Sequence, residues 1–379
     1  MLLEEQDLVR ALAPHLTSTS LLALLCCCKD LRAVEGIEVD LGTWNAHASK
    51  VPASRALEFA TRSASRFIVV GCEVSTLGKW HSLLCSSDVH SMADVSQVHH
   101  CDQQAFDALL GALPALRSLS VRAPSSLCSL EAAPRAQALR VLKLAHRVAE
   151  NVSTLEPLGG CRALEHLAFH GGATSTSSGV AALHQCPRLR TLDLRRCGCG
   201  AIEGLHMLSS DSSAVAWTLD SLGLQACTKP LIASDLAPLA AFRSLRELDL
   251  SLNTALRSVA LLGQCTKLRT LTLTGCTALD DVSGLSLCPM LSVLYLTGCT
   301  ALVDVLPLVD CPALRTLSLN RCSRVVNVGE LGHIKTLELL NLRCSGAVLV
   351  PYRSGLRVQW DTTDAGSHGR GRTGTVGVL

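Results

Sequence analysis

Aromatic side chains are scarce in this sequence, at 3% of residues, and charged ones are few, at 17%. Five Phe, four Trp and two Tyr cannot fill the core of 379 residues. The interior must therefore be built from aliphatic side chains and thiols, a uniform filling that suits one layer repeated many times. No sign of charge dominates either: 34 basic against 32 acidic residues leave +2, so no global field draws the chain to nucleic acid or an acidic surface. Long apolar runs are missing as well. The longest, residues 21–28, falls far short of the ~20 needed to span a bilayer. With 48% hydrophobic residues, intrinsic disorder of the whole chain is excluded.

What the sequence has in plenty is cysteine, 19 in all. Secreted disulfide scaffolds are short chains with poor cores, which this is not. The opening MLLEEQDLVR places acids where a signal peptide carries basic residues, and the closing TVGVL holds no prenylation box. A cytoplasmic, reducing location is expected, with the nucleus also open, and free thiols then behave as small buried hydrophobes.

The stretches CTKLRTLTLTGCTALDDVSGL, CPMLSVLYLTGCTALVDVLPL and CPALRTLSLNRCSRVVNVGEL start at Cys265, Cys288 and Cys311, a period of 23 residues. Phe242 and Ile334 begin further copies one period away on either side. Looser ones start near Leu113, Ala136, Cys161, Cys186 and Ala216. The shared L-x-x-L-x-L-x-x-[CN] resembles the strand-and-turn signature of the leucine-rich repeat family, over roughly residues 113–350. The period-two L-x-L excludes the alternative of leucines on amphipathic helices.

That resemblance implies an α/β solenoid with a curved parallel β-sheet, short helices or 3₁₀ turns on the convex side, and an N-terminal helical cap. Leucines at 248 and 250, 271 and 273, 294 and 296, 317 and 319 alternate as strand residues facing a core. Parallel strands are thus predicted near residues 247–250, 270–273, 293–296 and 316–319. A 23-residue turn leaves no room for a long helix, so 3₁₀ turns are expected in the C-terminal half. Short helices are expected in the longer turns between Cys161 and Phe242. Cys265, Cys288 and Cys311 form one column and Cys276, Cys299 and Cys322 another, in which Asn253 takes one place. One thiol per turn does not converge on a metal, which needs several ligands around one point. Packing is the expected role.

Four regions are expected: residues 1–35 helical, 36–112 irregular first repeats, 113–360 leucine-rich repeats, and 361–379 a disordered Gly-rich tail. Within the second, residues 37–41 and 67–70 read as strands and 55–62 as a helix. Residues 1–35 resemble an F-box, the helical motif that docks on the Skp-type adaptor of a ubiquitin ligase. Leu16 is followed by four polar residues, then Leu21, Leu24, Cys27, Cys28, Lys29 and Leu31. The resemblance implies adaptor binding through Leu16, Leu21 and Leu24. The alternative is a helical cap that only shields the first repeat.

No phosphate loop, nucleophile elbow or H-E-x-x-H pair occurs, and no enzyme, cofactor or metal is expected. His81, His90, His99 and His100 lie near Cys85 and Cys101 without a C-x-x-C or H-x-x-x-H pair to anchor a site. The expected function is protein binding on the concave strand face, without membrane or nucleic acid. The chain is then either the substrate receptor of an SCF-type ligase or a stand-alone scaffold. Candidate contact residues there are Asp193, Arg195, Arg196, Glu247, Asp249, Tyr295, Asn320, Arg321 and Arg343. Arg195 and Arg196 oppose Glu247 and Asp249 in sign, and Tyr295 is a rare aromatic among hydroxyls.

Overall fold

The computed structural model describes the strands at 37–40, 67–70 and 94–98, a helix at 103–112, and most of 116–361 with residues 373–375. The gaps after 116 are 122–126, 145–151, 153, 172–176, 197, 211–212, 348–350 and 352. The chain forms two compact units, Met1–Thr174 with Ala182–Leu189, and Ser175–Ala181 with Arg190–Leu379.

In the first unit six parallel strands pair in chain order. They are β1 (Ile37–Asp40), β2 (Phe67–Val70), β3 (Asp94–Val98), β4 (Ser118–Val121), β5 (Val141–Leu144) and β6 (His166–Phe169). The two stretches read as strands before the regular repeats are β1 and β2, while the helix expected at 55–62 lies outside the described residues. Leu119, Leu142 and Leu167 meet in register and are fully buried, as alternation requires. Helix α1 (Gln103–Ala112) buries Phe106 and Leu110. Its Gln103 carboxamide accepts from the Ser129 N–H at 2.9 Å and donates to the Ser129 carbonyl at 3.1 Å, tying the helix to the next turn.

The second unit continues the pattern with seven short strands, four of them at the predicted places. They are β7 (Thr191–Asp193), β8 (Ser221–Gly223), β9 (Glu247–Asp249), β10 (Thr270–Thr272), β11 (Val293–Tyr295), β12 (Thr316–Ser318) and β13 (Leu339–Asn341). Leu192, Leu222, Leu248, Leu271, Leu294, Leu317 and Leu340 form one buried row along the parallel register. The return paths follow the length argument. Helices α2 (Ser177–Ala181), α3 (Cys199–Leu208) and α4 (Val215–Thr218) occupy the longer turns. The 23-residue turns carry 3₁₀ segments at Ala260–Gln264, Ser283–Leu287, Leu306–Asp310 and Gly329–His333.

The end of the second unit differs from expectation. After β13, strand β14 (Arg357–Asp361) pairs parallel with it 18 residues on, and β15 (Thr373–Thr375) pairs antiparallel with β14. The stretch 361–379, expected to be disordered throughout, therefore carries one strand. An exposed β14 edge offers unpaired backbone groups, which β-favouring threonines can satisfy. The side chain of Arg353 reaches the carbonyls of Ile334 and Leu337, sealing the last full repeat. Residues 1–35, with the expected F-box or cap, lie outside the described residues.

Both cysteine columns pack as inferred. Cys276, Cys299 and Cys322 donate to the carbonyls of Leu250, Leu273 and Leu296, each in the preceding turn, at 3.2, 3.2 and 2.9 Å. Cys288 and Cys311 do the same to Leu262 and Leu285 at 3.2 and 3.4 Å, and in the first unit Cys186 to Leu158 at 3.2 Å. Asn253 fills its place in the first of these columns with two 2.8 Å bonds, to the carbonyls of Leu224 and Leu250, and accepts from the Cys227 N–H. An asparagine at 276 meets the same geometry one turn on. Cys276→Asn should therefore shift stability by no more than about 1 kcal/mol in urea unfolding, the scale of one exchanged hydrogen bond. A larger loss would show that the column is specific for sulfur.

Candidate protein-interaction surface

Residues alternating with the buried leucines leave the core and form polar columns across the strands of the second unit. Tyr295 stands between Thr272 and Ser318 in one such column and is 39% exposed. Ser318 is buried, with its hydroxyl 3.1 Å from that of Thr297. The ring of Tyr295 beside it is the large exposed feature of these middle strands.

The candidate charges are placed differently from the opposed patches expected of them. The Asp193 carboxylate holds the Arg195 guanidinium at 2.9 Å, so the basic side carries its own counter-ion. That carboxylate leans across Gly223 on the neighbouring strand, where a Cβ would come within 2.8 Å of it. Asp249 accepts the Ser251 N–H and hydroxyl at 2.9 and 2.6 Å and also the side-chain amide of Gln225. It locks the turn after β9 and is not a free acid. Glu247 is exposed.

Arg196 and Arg321 are exposed but sit on the turn after the strand, with φ of 58° and 59°. Ala226, Leu252, Gly275, Gly298 and Cys344 occupy the same place in their own repeats, all with positive φ. The chain must turn left-handed there before the next Cys or Asn enters the core, a conformation that costs a non-glycine residue about 1–2 kcal/mol. Asn320 and Arg343 are half-buried; the Arg343 N–H donates to Asn341 Oδ1 at 3.1 Å, and its buried Nε finds no partner among the described residues.

A family model described as leucine rich repeats (2 copies) matches residues 243–287, the stretch that contains β9 and β10. Among solved structures, an internalin of Listeria monocytogenes is similar over 85% of this chain and 94% of its own, at 16% identity and a TM-score of 0.54. These repeats are leucine-rich repeats. The TLR13–ssRNA13 complex is similar over 77% of this chain at 17% identity and a TM-score of 0.55, but over only 41% of its own chain. This chain thus spans less than half of that protein's length. At such identities the likeness is one of fold. No curated protein matches the sequence.

Leucine-rich repeats present a second set of side chains that the motif search passed over. The residue after the first leucine of L-x-x-L lies at the N-terminal rim of the strands and pairs across repeats. Asp220 sits between Arg190 at 3.3 Å and Arg246 at 4.0 Å, and Glu338 meets Arg315 at 2.8 Å. Nearby, the Arg243 guanidinium lies 4.8 Å from the centre of the Trp217 ring, and that tryptophan is 53% exposed. Reading this column for alternating charge would have exposed it. Among the described residues no group of His, Cys, Asp or Glu is arranged to hold a metal ion, and no helix is long and apolar enough to cross a membrane. The histidines at 81, 90, 99 and 100 and the adaptor candidates Leu16, Leu21 and Leu24 lie outside the described residues.

Proposed function

We propose that this leucine-rich repeat chain binds a protein partner on the strand face of its second unit, as the substrate receptor of an SCF-type ubiquitin ligase in the cytoplasm. The observation that carries the binding role is Tyr295, an exposed aromatic framed by the small hydroxyls of Thr272 and Thr297, with Arg343 toward one end. Exposed Tyr and Arg are the residue types that anchor protein interfaces. A reducing compartment fits the thiol columns, because each bond to a neighbouring carbonyl uses a protonated, unoxidised sulfur. The ligase link rests on the F-box resemblance of residues 1–35. TLR13 is bound to single-stranded RNA in its complex, but a face with one exposed aromatic lacks the successive stacking platforms that such strands use.

Purification of the tagged full chain should bring down a Skp-type adaptor. Leu21→Glu with Leu24→Glu should abolish that copurification and leave the melting temperature within about 2 °C of the parent, as for exposed partner-binding leucines. If no adaptor accompanies the parent and the double variant melts far lower, the segment is a cap and the chain a stand-alone scaffold.

A further inference from the structure

The N-terminal rim of the second unit's sheet carries more positive charge than its own acids neutralise. Arg246 and Arg269 are adjacent rungs, since the Arg269 N–H donates to the Arg246 carbonyl at 2.8 Å. Asp220 serves Arg190 and Arg246 together, and neither Lys267 nor Arg269 has a carboxylate partner among the described residues. Trp217 and Arg243 stack on the same rim, joined by the Ser244 hydroxyl donating to the Trp217 carbonyl at 2.6 Å. All five cations are exposed.

Repulsion among neighbouring guanidinium and ammonium groups costs stability unless something anionic lies across them. We infer that this rim is a second docking surface, separate from the strand face around Tyr295, for an acidic protein segment with an apolar side chain that packs on Trp217. Successive rungs of a parallel sheet lie about 4.8 Å apart, a spacing that carboxylates along an extended or helical segment can follow. The choice of a protein over a nucleic acid follows from the aromatics. Among the described residues Trp217 is the one exposed aromatic of the rim, already stacked by Arg243, whereas a single nucleic-acid strand is held by several stacking rings in succession. A Trp beside Arg is instead a protein-interface anchor.

The test is fluorescence anisotropy of the full chain with a labelled Glu-rich peptide bearing one leucine, beside an oligouridine of equal charge. The peptide should bind with an affinity that falls as salt rises. Arg246→Glu with Arg269→Glu should weaken it by at least about tenfold, as should Trp217→Ala, each variant remaining folded by circular dichroism. Tyr295→Ala should leave it unchanged, which separates this rim from the strand face. No binding of the peptide, undiminished binding by the charge-reversed variant, or tighter binding of the oligouridine would each overturn the inference.

Discussion

Raising the pH from about 8 to about 10 should strongly destabilise this protein, because ionising its column thiols requires leaving the fold. Burial pushes Cys161, Cys186, Cys265, Cys276 and Cys311 up from 9.0 to about 12, and Cys288 and Cys322 to about 11. Cys299 is raised further, first by burial and then by Cys322 and Cys276 beside it. Below pH 9 these thiols are protonated whether the chain is folded or not, and their contribution to stability is fully present. Above it the unfolded chain releases protons that the folded chain retains, so stability is lost progressively as pH rises toward 12. Each thiol then contributes a loss of about 1 kcal/mol between about pH 8 and pH 10. The six in the second unit together come to the lower end of the roughly 5–15 kcal/mol that holds a typical domain folded. Circular dichroism melts across this range should show the transition collapse. A triple variant with Asn at 276, 299 and 322 should keep about 3 kcal/mol more at the upper end. A melting temperature that stays level to pH 10, or a triple variant that falls as far as the parent, would show that the thiols ionise inside the fold.

The thiol columns follow the 23-residue period, and the parts of the molecule governed by that period are the parts legible in the sequence. Leu271, Leu273 and their counterparts lie in short strands because alternation and burial both demand it. The 3₁₀ returns follow from the length left over after strand and turn. The left-handed column was harder to see, since Gly275 and Gly298 announce it while Arg196, Leu252 and Arg321 hide it. Arg196 and Arg321 were accordingly assigned to the strand face when they belong to the turn. Sequence makes Asp193 and Asp249 candidate contact residues because it shows residue types without the partners beside them; Arg195 and Ser251 decide their role. Strand β14 departs from the rhythm: it follows β13 by 18 residues and has Val358 where a leucine recurs, so the template runs out before the sheet does. The rim cations are hidden in the sequence because they are spread over three repeats and only the register brings them together.

The same register explains why one glycine should prove far less replaceable than another. Gly284 lies in the 3₁₀ return Ser283–Leu287, packed backbone to backbone on the preceding return. A Cβ there would stand 2.1 Å from the Ala260 carbonyl oxygen and 2.5 Å from Ala260 Cα, atoms that cannot swing aside as a side chain can. Gly329 begins the corresponding return two repeats on and has no atom within 4 Å of such a Cβ. Gly284→Ala should therefore cost about 3 kcal/mol or more, the upper part of the range for overfilled sites, because two main chains must separate. Gly329→Ala should be neutral or stabilising by up to about 1 kcal/mol, through the lost freedom of the unfolded chain. In a stacked array each repeat is held by its neighbours, so prising apart the returns at 260–264 and 283–287 also loosens β9 against β10. Those two strands pair Asp249 with Thr272, the residue that stands beside Tyr295. Gly284→Ala should then lose partner binding as well as stability, and Gly329→Ala should lose neither. Urea midpoints of the two variants, measured side by side with the parent, decide it. Equal midpoints would mean that the returns are not packed backbone to backbone, and that the spacing of the strand face is set elsewhere.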